Sequence, residues 1–105
     1  MSFDIIWLES AKSDLNRLYN YYADKSISVA VRIYNGIIDE SERLSNYPEI
    51  ASVEPLIQKP SKTYRSLVVS KGRFKLVYFV ENKLVIIARV WGCWQNPKKL
   101  SRSLK

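Results

Sequence analysis

Tyr64-Arg65-Ser66-Leu67-Val68-Val69-Ser70-Lys71-Gly72-Arg73-Phe74-Lys75-Leu76-Val77-Tyr78-Phe79-Val80-Glu81 reads as two strands and the turn between them. β-branched and aromatic residues fill both halves, and Ser-Lys-Gly divides them. A third run of the same character, residues 84–91, follows after Asn82-Lys83. Residues 64–70, 73–81 and 84–91 therefore predict an antiparallel meander. Ser70-Lys71-Gly72 suits a three-residue hairpin loop with Gly72 in the left-handed position. In that register residue 69 faces residue 73, so Arg65, Arg73 and Lys75 share one face with Val77, Phe79 and Trp91 as its apolar floor. Phe74, Leu76, Tyr78 and Val80 fall on the other face, joined by Leu84, Ile86, Ala88 and Val90. A two-residue loop would invert the pairing, so the register hangs on loop length.

Upstream, the period changes. Ala11, Leu15, Leu18, Tyr19 and Tyr22 form an apolar stripe at helical spacing, starting after Glu9-Ser10 and broken at Asp24-Lys25-Ser26. A second stripe holds Ala30, Ile33, Tyr34, Ile37, Ile38 and Leu44, with Ser26 or Ser28 as its cap. It should end before Pro48, because the residue preceding a proline avoids the helical region. So short a link predicts an antiparallel helical hairpin. Residues 3–8 are aromatic and β-branched, a short strand. Residues 47–63, with Pro48, Pro55 and Pro60, read as a connecting loop. Pro97-Lys98-Lys99-Leu100 should close the ordered part, leaving residues 101–105 to fray. The expected fold is α+β: an N-terminal strand, a helical hairpin, then a three-stranded antiparallel meander with the helices on one sheet face. One domain spanning residues 1–105 suffices for a chain of 105 residues.

Composition narrows the chemistry. At 47% hydrophobic and 26% charged, the chain is built to fold around a modest core. Cys93 is the single cysteine, which excludes an internal disulfide framework and favours a reducing compartment. Residues 1–9 lack a basic leader, and no run approaches the roughly 20 apolar residues of a membrane span. The cytoplasm is the expected location, with no membrane partner. Histidine is absent, so the usual acid–base group near neutral pH is missing and neither a metal site nor a cofactor is expected. Any catalysis would fall to Arg, Lys, Tyr or carboxylates.

The net charge of +7 conceals a division. Residues 1–55 hold five Lys or Arg against nine Asp or Glu, a balance of −4. Residues 56–105 hold twelve Lys or Arg against Glu81 alone, a balance of +11. Phosphate backbones or an acidic protein segment would be drawn to such a surface, and a merely solvated basic face is the plain alternative. The candidate contact residues are Arg65, Lys71, Arg73, Lys75, Arg89, Trp91, Trp94, Lys98 and Lys99. For Arg65 and Arg89 the competing reading is a salt bridge at a strand edge, to Glu81 or a helix carboxylate. For Trp91 it is the core. For Trp91 and Trp94 as contacts, stacking on a base is worth roughly 1–3 kcal/mol. Cys93 has no partner base, which argues against a catalytic thiol.

The whole order resembles the RelE/ParE superfamily of toxins from bacterial type II toxin–antitoxin systems. The likeness is carried by Tyr64-Arg65-Ser66-Leu67-Val68-Val69, by Gly72-Arg73-Phe74-Lys75-Leu76-Val77-Tyr78, and by residues 84–91 through Gln95-Asn96-Pro97-Lys98-Lys99-Leu100. The resemblance implies a toxin held by a cognate antitoxin through an extended or helical, acidic or amphipathic segment. Its RelE branch cleaves messenger RNA on the ribosome, and its ParE branch is associated with DNA gyrase. Arg65 and Lys75 match positions where the RelE branch keeps cations for the scissile phosphate, which makes them the catalytic candidates. Leu67 stands in place of a further lysine of that branch. Gly92-Cys93-Trp94 replaces the Asp-Thr-Arg of many relatives, so Trp94 occupies the place of an arginine. No C-terminal Tyr or His supplies an acid or base. A ParE-like action is therefore the leading expectation. A RelE-like ribosome-dependent endoribonuclease is the alternative, and a nucleic-acid-binding module without toxicity is a further one.

Overall fold

The computed structural model describes residues 2–55, 57 and 61–104. Strand β1 (Asp4–Trp7) leads into helix α1 (Glu9–Ala23) and helix α2 (Ile27–Ser41), followed by a short α3 (Arg43–Asn46). Strands β2 (Ser52–Val53), β3 (Arg65–Val69), β4 (Phe74–Glu81) and β5 (Leu84–Gly92) come next, and α4 (Pro97–Ser103) follows them. They form one five-stranded sheet in the order β1-β5-β4-β3-β2. The expected meander is its centre. β1 joins it parallel to β5, and β2, inside the stretch read as loop, pairs with β3. The rest of that stretch includes positions 56 and 58–60, which lie outside the described residues.

The helical hairpin forms where its stripes require. Ser26 caps α2, its hydroxyl accepting from the Val29 N–H at 3.3 Å. Ala11, Leu15 and Leu18 of α1 and Ile33 and Ile37 of α2 are buried against Leu67, Val69, Phe74, Leu76, Tyr78, Val85, Ile87 and Val90. This is the main core, on one sheet face.

Two expectations about the sheet need correction. The β3–β4 connection spans four residues, not three: Val69 pairs with Phe74, and Arg65 with Tyr78. The Glu40 carboxylate takes the Ser70 N–H at 3.0 Å, and Ser70, Lys71 and Gly72 all adopt positive φ. An even loop puts odd residues of β3 with even residues of β4. Leu67 and Val69 thereby join Leu76 and Phe74 beneath the helices. The physical reason is burial, since a slip by one residue would turn both outward. Arg65 is thus separated from Arg73 and Lys75. The second correction concerns β5. Val77 pairs with Arg89 but Tyr78 with Ile87, so Ala88 is an extra residue in a bulge. Val85 and Ile87 face the helices, whereas Ile86 and Ala88 face away from them.

The face away from the hairpin is not an open basic floor. Val77, Phe79, Ala88 and Trp91 form a second core with Ile57, Tyr64, Leu100 and Leu104. Residues 97–103, expected to end and fray, form α4 instead, because Leu100 is fully buried and Leu104 nearly so. Burying a leucine is worth about 1.5–3 kcal/mol, ample to hold a short helix down. Asn96 caps α4 through the Lys98 N–H at 3.0 Å, with Pro97 in its first turn. Lys105 lies outside the described residues.

Candidate functional site

Where β1 stops, α1 takes over the edge of β5. Trp7 is paired with Ile87, and beyond it the Leu8 N–H donates to Ile87 O at 3.0 Å. Next, the Ser10 hydroxyl donates to Ala88 O at 2.7 Å, and the Val90 N–H donates to Asp14 Oδ2 at 2.9 Å. Asp14 is buried at 6% exposure, and it also takes a two-pronged contact from Arg89, Nε and Nη2 each at 2.8 Å. Arg17 Nη2 adds a fourth bond at 2.6 Å. Hydrogen bonding to Asp14 raises the pKa of Arg89 above its ordinary value, with burial opposing. The bulge at Ala88 turns Arg89 outward to reach this carboxylate.

Above this ion pair lies a cleft of about 590 Å³. Leu18, Tyr21 and Tyr22 of α1 line it on one side and Phe74, Val90, Gly92, Trp94 and Gln95 on the other, and Asp14, Arg89 and the largely exposed Arg17 complete the lining. Trp94 is 68% exposed and stands edge-on to Phe74, with ring centroids 5.2 Å apart. Gly92 makes room for the indole: a Cβ there would come within 2.7 Å of its six-membered ring. The cleft has aromatic residues on both sides and two arginines against one carboxylate, a lining suited to an amphipathic segment.

The sequence-predicted contact residues are distributed across the sheet. Arg65 lies on the helix side, where Nη1 donates to Ala51 O at 2.8 Å and Nη2 meets Glu49 at 3.5 Å. Lys75 lies on the opposite side, bonded to the buried Glu54, which also accepts from the Ser66 hydroxyl at 2.7 Å. Trp91 is in the second core at 6% exposure, with the Arg89 guanidinium over its ring at 5.3 Å. Lys71, Arg73, Trp94, Lys98 and Lys99 are exposed at one end of the sheet. The Cys93 thiol is held above its ordinary pKa by partial burial, with Lys75 opposing. Asp14 and Glu54 were not among the sequence candidates. Asp14 carried a signal, a charged residue within the apolar stripe of Ala11, Leu15 and Leu18. Glu54, in an aperiodic segment, carried none.

A family model described as the ParE toxin of a type II toxin–antitoxin system, parDE, matches residues 5–97. The chain belongs to the ParE toxin family. The match runs from within β1 to the first residue of α4, so it covers the hairpin, the sheet and the cleft. A solved structure described as a chromosomal ParDE TA system from P. aeruginosa superposes with a TM-score of 0.72 at 20% identity, over 86% of this chain and 95% of that one. At that identity the likeness concerns the fold. No curated protein matches this ParE-family sequence significantly. Among the described residues of the toxin, no helix is long and apolar enough to cross a membrane.

Proposed function

We propose that this ParE-family toxin inhibits DNA gyrase in the cytoplasm and is neutralised by a cognate antitoxin whose amphipathic segment lies in the cleft beside α1. The observation that carries the gyrase reading over message cleavage is the separation of Arg65 from Lys75. Stabilising a phosphorane-like transition state needs cations converging on one oxygen cluster. Arg65 and Lys75 sit on opposite sheet faces, and each is already engaged with protein oxygens. The antitoxin reading is supported by the exposed aromatic residues of the cleft, Tyr21 and Trp94, with the exposed Arg17 beside them.

The test is a supercoiling assay with purified gyrase and relaxed plasmid. The toxin should block supercoiling, and the product of the gene adjacent to it should restore activity and relieve growth arrest on induction. Full supercoiling at a large molar excess of folded toxin would sink the gyrase reading. Cleaved messages in a translation reaction would then favour the endoribonuclease alternative.

A further inference from the structure

One end of the sheet gathers cations that no ion pair among the described residues employs. Lys71 and Arg73 stand in the β3–β4 loop, and Lys98 and Lys99 in the first turn of α4. The Cys93 N–H donates to Arg73 O at 2.9 Å, which ties the loop to the end of β5, and the Gln95 N–H donates to Gly92 O at 2.9 Å in the turn that leads to α4. All four cations are exposed, and among the described residues none of them forms an ion pair. The Glu40 carboxylate accepts from the Ser70 backbone at the start of the β3–β4 loop. Grouping like charges without partners raises the local potential, which an external polyanion would relieve.

Trp94 lies between the two cationic segments along the chain and stands edge-on to Phe74, the neighbour of Arg73. One side of its six-membered ring lies over Gly92, and the residue is 68% exposed, which leaves the other side to solvent. We propose that this end of the sheet binds single-stranded nucleic acid, with phosphates along Lys71, Arg73, Lys98 and Lys99 and one base stacked on Trp94. An acidic protein segment would satisfy the cations, but it offers a flat side chain to the indole only at particular positions, whereas every nucleotide of a strand carries one. A duplex keeps its bases stacked on one another. A single strand offers a phosphate chain and a free π-face together, the pairing that such sites use. The proposal goes beyond gyrase inhibition and does not depend on it, because binding is read here with the purified chain alone.

The experiment measures fluorescence anisotropy of a labelled thymidine oligomer of roughly 12 nucleotides, within the site sizes of single-strand binders. A uridine oligomer, a duplex of the same length and a polyglutamate peptide serve as competitors. Binding should weaken with salt at a log–log slope of about −2 to −3, given about −0.7 per phosphate neutralised. Lys71→Ala with Arg73→Ala should cut the slope magnitude by about 1.4, whereas Lys83→Ala and Arg43→Ala, at other places on the surface, should leave it unchanged. Trp94→Ala should weaken binding roughly 5- to 150-fold at constant slope, and Trp94→Tyr should restore most of it. Circular dichroism and the melting temperature confirm that each variant is folded. The proposal is overturned if the Lys71/Arg73 double variant binds as the wild type does. It is equally overturned if duplex or polyglutamate competes as well as the single strand while Trp94→Ala has no effect.

Discussion

Asp14 is a carboxylate buried in a basic protein, and four donors converge on it. Removing it strands Arg89 at 15% side-chain exposure without its partner and leaves the Val90 N–H unsatisfied. Breaking a buried pair from one side costs about 3–5 kcal/mol, so Asp14→Ala should lower the urea-unfolding free energy by that order. The Asp14→Ala/Arg89→Ala double variant should cost less than the sum of the single ones, and strict additivity would show that the pair is not coupled. The same scale shows what could be read beforehand. Leu67 and Val69, both apolar and both odd-numbered, had to share a face with Phe74, Leu76 and Tyr78, which demands an even loop. Glycine at position 72 drew attention to loop chemistry instead, and burial outweighed it. For Arg65, a salt bridge at a strand edge was one of the two readings, and the structure places it against Ala51 O and Glu49. Nothing local to Arg65 could indicate that choice, because its acceptors come from a segment without periodicity.

α4 shows how a terminator can be an initiator. By composition Pro97-Lys98-Lys99-Leu100 closes the ordered part, yet an Asn cap followed by proline also opens a helix. Leu100 and Leu104, four residues apart, carried the stripe, in a tail where cations dominate the composition. The helix matters because it covers the second sheet face. Leu100→Ala should destabilise the protein by about 2–5 kcal/mol, as for other fully buried leucines, measured by thermal or urea unfolding. A loss below about 0.5 kcal/mol, the usual limit for surface positions, would mean that α4 does not seal the second core in solution. The strands and the two long helices were legible because each carries its own period. Their pairing was less so: β1 was recognisable as a strand, but its parallel union with β5 joins segments about 80 residues apart and leaves no local mark.

For the whole molecule, the two cores each contain a buried tyrosine, Tyr78 beneath the helices and Tyr64 beneath α4. Burial raises both phenols above their ordinary pKa of 10.0; for Tyr78, Ala51 and Arg65 partly oppose the rise and Glu49 adds to it. The folded state therefore holds its phenolic protons after the unfolded chain has begun to lose them. Their stabilising contribution is complete below about pH 10 and is lost as the pH climbs above it, through the raised folded values. Urea midpoints should fall between about pH 9 and about pH 11, and Tyr78→Phe should flatten part of that fall. An equal pH response in the variant would remove Tyr78 from the explanation. At neutral pH the same substitution forfeits the hydroxyl bond to Pro48 O at 2.8 Å, a cost of about 0.5–1.5 kcal/mol.

The union of β1 with β5 also sets a timetable for the chain as it is made. Synthesis at about 5–20 residues per second takes roughly 5 to 20 s for a protein of this length. For most of that interval β1 has no neighbour, and α1 and α2 have no sheet to cover. A ribosome midway through this message therefore carries a chain whose β1 is still unpaired. The sheet completes late, when residues 84–92 emerge and β1 finds β5.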